Sequence, residues 1–236
     1  MKFALFSVFC AVAVLPARAD LTVVQKVEGT GPATDMVMKL KGDKMRIEIS
    51  PKLTTIIDAK TGEMINLMSD QKTVVRMSGD KVKAAMQMAV QFNEKNGAKP
   101  AEKPKLTSTG KKEVINGQET ELYTFETPEF KATYWIAPKY PNGASILKQL
   151  QALNPDVWKM SNTQMPDYHD FPGLPIKTVL TMQGTQITTT LVSVKEDPLN
   201  DADFVVPKDY QEMKLPDMSG LLKESAPPAP TVSPKP

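Results

Sequence analysis

The chain has 236 residues, a formal net charge of +2, one cysteine, one histidine and 14 methionines. One cysteine excludes an internal disulfide and a cysteine-rich zinc site, and one histidine excludes any site that needs two imidazoles from this chain. The near-neutral charge leaves no clustered basic footprint for nucleic acid, while the length is enough to bury a real core.

Met1 to Ala19 reads as a secretory signal peptide. Lys2 supplies the positive start, Phe3 to Leu15 is an apolar run, Pro16 breaks it, and Ala17-Arg18-Ala19 is a small-x-small cleavage pattern. The run is shorter than the ~20 apolar residues that span a bilayer. Cleavage is expected before Asp20. A lipoprotein reading of Cys10 is disfavoured, because Phe9 precedes it and apolar sequence continues to Leu15. Removal of Lys2, Cys10 and Arg18 leaves a formally neutral chain without cysteine. Its core then has to hold the fold without a disulfide in an oxidising compartment.

From Leu21 to Met77 the sequence reads as short strands. In Thr34 to Lys41, Met36, Met38 and Leu40 share one face; in Lys44 to Ser50, Met45, Ile47 and Ile49 do. With Gly42-Asp43 between them, this predicts a half-buried antiparallel hairpin. Leu53 to Ala59, Glu63 to Ser69 and Lys72 to Met77 follow at a spacing that suits a meander.

The period changes over Asp80 to Asn96. Val82, Ala85, Met86, Ala89 and Val90 fall at helical spacing, Ser78 or Asp80 can cap the start and Gly97 can end it. A Lys/Pro/Ala loop is predicted from Ala98 to Lys105. Strands return at Leu106 to Ile115, Thr120 to Thr127 and Phe130 to Ala137, with a hairpin turn at Asn116-Gly117. Phe130, Ala132, Tyr134 and Ile136 share one face of the last, and Trp135 lies on the other. A second helix carries Ile146, Leu147, Leu150 and Leu153, and Asn154-Pro155 restarts it towards Met160. Pro175 to Met182 and Gln186 to Lys195 form a final hairpin around Gln183-Gly184-Thr185. The expected organisation is a signal peptide (1–19), one domain (20–218) and a disordered Pro-rich tail (219–236).

Motifs for chemistry are sparse. His169 sits in Asp167-Tyr168-His169-Asp170, where sequence neighbours point apart, and no Gly-x-Ser-x-Gly elbow accompanies it. It reads as an exposed loop residue. Glu48, Asp58, Asp70 and Glu126 read as solvated sheet-face charges, and Gly29-Thr30-Gly31 lacks the rest of a phosphate-binding loop. Met36-x-Met38 and Met86-x-Met88 pair thioethers, as a soft Cu(I) site would. Strand alternation already explains the first pair, and no imidazole cluster supports either. No cofactor, metal or catalytic residue is expected. Six methionines (Met36, Met38, Met45, Met64, Met68, Met77) lie in the first strand run. Flexible, polarizable Met suits surfaces that fit varied apolar ligands, and it equally suits a filled core.

Several phrases in order resemble one family: Lys41-Gly42-Asp43-Lys44-Met45-Arg46-Ile47-Glu48, Ile57-Asp58, Thr133-Tyr134-Trp135-Ile136-Ala137, Phe171-Pro172-Gly173-Leu174-Pro175, Leu191-Val192-Ser193-Val194 and Phe204-Val205-Val206-Pro207-Lys208-Asp209-Tyr210. Over Leu21 to Lys214 the chain is similar to domain-of-unknown-function family 4412, exported bacterial proteins that look like the LolA-like lipoprotein-carrier superfamily. The resemblance implies a mainly β fold with helices (α+β), in which a curved antiparallel half-barrel sheet wraps around plug helices. It implies a non-catalytic periplasmic or secreted carrier or sensor for an apolar ligand such as a lipid or lipoprotein acyl chain. The cavity candidates are Met36, Met38, Leu40, Met45, Ile47, Ile49, Met77, Phe130, Tyr134 and Ile136. The alternative is an envelope protein-interaction or structural module whose cavity is filled by its own helices.

Overall fold

A computed structural model of the protein describes residues 20–29, 31–95, 104–127, 130–152, 166 and 168–213. The signal peptide, most of the Lys/Pro loop, the helix restart after Asn154 and the Pro-rich tail lie outside the described residues.

Six strands open the fold: β1 (Leu21–Glu28), β2 (Thr34–Lys41), β3 (Lys44–Ser50), β4 (Leu53–Asp58), β5 (Met64–Met68) and β6 (Thr73–Met77). Then come α1 (Gly79–Lys95), β7 (Thr107–Ile115), β8 (Gln118–Glu126), β9 (Phe130–Ala137) and α2 (Gly143–Ala152). A short 3-10 turn (Tyr168–Asp170) precedes β10 (Leu174–Met182) and β11 (Thr185–Lys195). A second 3-10 turn (Asp201–Phe204) and the two-residue β12 (Gln211–Glu212) complete it.

All twelve strands form one large, curved, open sheet in the order β12-β6-β5-β4-β3-β2-β1-β11-β10-β9-β8-β7. Every neighbouring pair is antiparallel except β12 with β6. Within β1–β6, β7–β9 and β10–β11 consecutive strands pair across short turns, while β9 meets β10 across the longer connection that carries α2. At Asn116-Gly117 both residues have positive φ (50° and 76°), the twist that a two-residue hairpin needs. The closing hairpin turns at Gln183-Gly184, and Thr185 already belongs to β11 rather than to the turn. β1 and β11 join the two meanders edge to edge.

Period-2 alternation gives the sheet two distinct faces. On the inner face, Ile146 and Leu147 of α2 pack with Leu21, Val23, Leu40, Ala137, Leu174, Ile176 and Leu191 in the central core. Farther along this face, Phe125, Ala132, Tyr134 and Ile136 pack with Phe171. On the outer face, Ile56, Ile65, Leu67 and Val74 are covered by Val206 and Tyr210 from the C-terminal segment. In α1, Val82 is buried, but Ala85 is exposed rather than part of the buried stripe, and Met88 is 36% exposed. The side chains of Met86, Ala89 and Val90 lie outside the described set.

The C-terminal segment 196–213 crosses the outer face as a strap. Lys41 Nζ donates to the Leu199 carbonyl at 2.6 Å, and Arg46 to the Asp203 carbonyl at 2.9 Å. Leu199 N donates to Asp20 Oδ2 at 2.8 Å. Phe204 is buried, and β12 pairs beside Thr73 and Val74 of β6. A strand edge that would otherwise expose unpaired backbone groups is thereby partly covered.

Candidate functional site

The strand registers place the candidate residues in cross-strand rows on the inner face. The first row runs Leu21–Leu40–Met45–Ile57–Met64–Met77 across β1 to β6. The second runs Val23–Met38–Ile47–Thr55–Asn66–Val75. Met36 lies opposite Gln25, and Leu53, Met68 and Thr73 continue a third row beyond Ile49. Across the β1–β11 seam the same face continues through Val27, Thr189, Thr178 and Tyr134. Phe130 sits at the register position opposite Met182.

Burial divides these candidates into two groups. Leu40, Tyr134 and Ile136 are closed into the core at 2%, 5% and 0% exposure. Tyr134 meets Phe171 edge to face, with ring centroids 5.1 Å apart. This geometry adds to the area the two rings bury. Met36, Met38, Met45, Ile47 and Met77 are only half-buried, and Ile49 is 41% exposed. Met36, Met38, Met45, Ile47 and Ile49 are contiguous on β2 and β3, while Met77 lies on β6 with two strands between, in register with Met64 of β5. The structure therefore has a packed end of the inner face, capped by α2 and Phe171, and a methionine-rich end in which half-buried side chains alternate with the buried Thr55, Ile57 and Val75.

That end contains a polar patch which alternation does not announce. Thr55 of β4 is 7% exposed, and its hydroxyl donates to Asn66 Oδ1 of β5 at 2.8 Å. Thr73 of β6 has its Oγ1 buried with no hydrogen-bond partner among the described residues. In Met64-Ile65-Asn66-Leu67-Met68 the lone Asn at an inner position is the one signal that marks the patch in the sequence.

Electrostatics lie elsewhere. On the outer face a cavity of about 520 Å³ is rimmed by Lys41, Lys44, Lys60, Asp43, Asp58 and Asp201, with Phe204 at its wall. The charges there mostly hold the fold. Asp58 Oδ1 accepts from the Lys60 and Thr61 amides, which fixes the β4–β5 turn. Glu48 pairs with Arg46, Asp70 with Lys52, and Glu126 with Lys131. Burial, and then the Glu121 carboxylate to which it donates, pushes the Tyr123 phenol up. Trp135 lies on the outer face, where its Nε1 donates to Glu113 and Lys177 Nζ sits 4.6 Å from the ring centroid. His169 is exposed. Among the described residues no group of three His, Cys, Asp or Glu side chains is placed to hold a metal ion, and no helix is long and apolar enough to cross a membrane.

No curated protein matches the chain. Among solved structures, PNGF-II is similar at 14% identity and a TM-score of 0.40, covering 87% of this chain and 33% of its own. The chain thus spans about a third of the length of PNGF-II. The Mycobacterium tuberculosis lipoprotein LppX is similar at 12% identity and a TM-score of 0.35, over 77% of this chain and 88% of its own. LprF from Mycobacterium bovis is similar at 12% identity and 0.31, over 83% and 92%. The model of one family matches residues 20–210, and the chain belongs to that family, described as Domain of unknown function (DUF4412).

Proposed function

We propose that the protein is a non-catalytic carrier or sensor that holds an apolar ligand, such as a lipid or lipoprotein acyl chain, in a half-barrel groove. The ligand lies against the inner face of β2 to β6, and the setting is the periplasm or another extracytoplasmic space. One observation carries this reading. Met36, Met38, Met45, Ile47 and Ile49 stand side by side on β2 and β3, with Met77 on the same face of β6, yet they are left half-buried or exposed. On the same face Leu21, Val23, Leu40 and Ile57 are packed to 3% exposure or less. An acyl chain laid along such a strip transfers at about 0.8 kcal/mol per methylene removed from water. Methionine side chains rearrange to fit chains of different length and saturation at little cost. The signal-like segment at residues 1–19 agrees with an extracytoplasmic setting.

The test is a titration of purified, delipidated protein with the uncharged fluorescent probe N-phenyl-1-naphthylamine. Saturable enhancement that is abolished by acyl competitors is the expected result. Absence of saturable binding sinks the proposal and favours an interaction module whose inner face is filled.

A further inference from the structure

We infer that the Thr55–Asn66–Thr73 patch is a polar subsite in the apolar groove, and that it recognises an uncharged acyl ester or amide rather than a free fatty acid. This rests on the apolar-ligand reading above and deepens it.

Three observations on β4 to β6 carry the inference. First, the patch is polar where everything around it is apolar. Its inner-face neighbours are Leu53, Ile57, Met64, Met68, Val75 and Met77, set by the strand registers. Second, the patch has unused donors. Asn66 Oδ1 already accepts from Thr55 at 2.8 Å, which leaves the amide nitrogen as the end that donates. Thr73 Oγ1 is buried with no partner among the described residues. Such an orphan is rare, because a buried hydroxyl without a partner loses its hydrogen bonds to water for nothing in return. Asn66 stands opposite Val75, so Thr73 is its diagonal neighbour across β5 and β6. Diagonal neighbours stand roughly 7–8 Å apart, a gap that one atom placed between their donors can bridge. A carbonyl oxygen has two lone pairs and takes both donors. Third, the described inner-face positions of β2 to β6 carry no charged side chain. A carboxylate or phosphate there lacks a counter-charge and has to be desolvated. An ester or amide carbonyl carries no net charge, and its smaller desolvation cost is offset by the hydrogen bonds it accepts.

Met68 stands beside Thr73 as its direct partner in register, and its three rotatable bonds let it adapt to a ligand there. The carbonyl then fixes the depth and direction of the chain, while the methionine rows take its length. A site with a few convergent polar groups in an apolar lining is the usual form of a small-molecule site.

The experiment displaces bound N-phenyl-1-naphthylamine from the delipidated full protein with three competitors of matched chain length: methyl palmitate, palmitate and heptadecane. Methyl palmitate is expected to compete best, with palmitate and heptadecane weaker by about three- to tenfold, the range for loss of one hydrogen bond. Thr73→Val is expected to raise Tm, because it removes an unpaired buried hydroxyl. It should also weaken methyl palmitate by a similar factor, once the probe's own affinity for the variant has been measured and used to correct the competition. Asn66→Leu should act in the same direction on the ester. Equal displacement by all three competitors overturns the inference and leaves the apolar-ligand reading standing. A Thr73→Val protein with higher Tm and undiminished preference for the ester also overturns it, since the hydroxyl is then only a packing defect. Absence of probe binding overturns both.

Discussion

Arg46 of β3 donates from its guanidinium to the backbone carbonyl of Asp203 at 2.9 Å, while its Nε holds Glu48 at 2.8 Å. One side chain thus binds the outer face of the sheet to a segment 157 residues away in sequence. Lys39 adds a contact to the Asp203 carboxylate at 3.2 Å. Arg46→Ala is expected to cost about 1–2 kcal/mol, the range for a charge-assisted hydrogen bond at a half-buried site. Chemical denaturation measures the loss. Amide exchange should rise at residues 199–206 first, before the central core around Leu21 and Ile176 responds. Uniform loosening of the whole sheet contradicts this account.

Acid should release the same strap. Lys41 Nζ lies 2.7 Å from Asp201, and Lys72 Nζ lies 2.9 Å from Asp209. Hydrogen bonds from these lysines hold both carboxyls below their ordinary 3.8. The same bonds hold both lysines above their ordinary 10.5. A depressed carboxyl contributes stability above its unfolded value and loses it as pH falls through the folded value. A raised lysine contributes below its unfolded value and loses it as pH rises through the folded one. Protection of residues 196–213 should therefore be flat between the two values, 3.8 and 10.5, and fall outside them. The pairs are exposed, so salt should shrink the effect. Amide exchange read from pH 2.5 to 6 checks this, and the Asp201→Asn, Asp209→Asn double variant should lose the acid step.

Gly173 fixes how Phe171 reaches Tyr134. A Cβ there would stand 2.5 Å from the Ala137 carbonyl oxygen and 2.5 Å from Pro138 Cα. Both obstacles are backbone, so the chain has to shift. Gly173→Ala is expected to destabilise by about 1–3 kcal/mol, the usual cost of overpacking. The edge-to-face contact of Phe171 with Tyr134 should loosen with it. Thermal unfolding of the variant measures the first effect, and ring chemical shifts of Tyr134 measure the second.

Most of the sheet was legible in the sequence because alternation and turn chemistry are local. Met36, Met38 and Leu40 against Met45, Ile47 and Ile49, with Gly42-Asp43 between, fix a hairpin without reference to anything distant. The same holds for Asn116-Gly117 and for Phe130 to Ala137. What alternation does not set is the depth of burial. Leu40 and Ile49 carry the same pattern, yet one meets Leu21 in the core and the other is exposed, because coverage depends on where α2 lands. The strap was beyond reach for a similar reason. Phe204-Val205-Val206 has no period of its own, and its place is set by Arg46, Lys39 and Lys41 on strands far away in sequence. The Thr55–Asn66 pair depends on the register of β4 against β5, which a sequence shows only after the turn between them is known.

The division of the inner face makes a last prediction, which separates fold from ligand. Leu40 is 2% exposed beside Leu21, and Ile136 is fully buried. Truncating either to Ala should cost about 2–5 kcal/mol, from lost transfer energy plus the cavity left behind. Ile49 is 41% exposed and Met36 half-buried, so Ile49→Ala and Met36→Ala leave little cavity. Each should lower stability by less than about 1 kcal/mol. If the half-covered rows hold a ligand, these two mild variants should weaken N-phenyl-1-naphthylamine binding several-fold. A polar pair, Met36→Gln with Ile49→Thr, should weaken it further with the fold intact. Denaturation midpoints and probe affinities measured on the same four alanine variants give the answer. Large stability losses with Leu40 and Ile136, and large affinity losses with Met36 and Ile49, form a pattern that a uniformly filled core does not produce. In a filled core, affinity would be absent and stability would track burial alone.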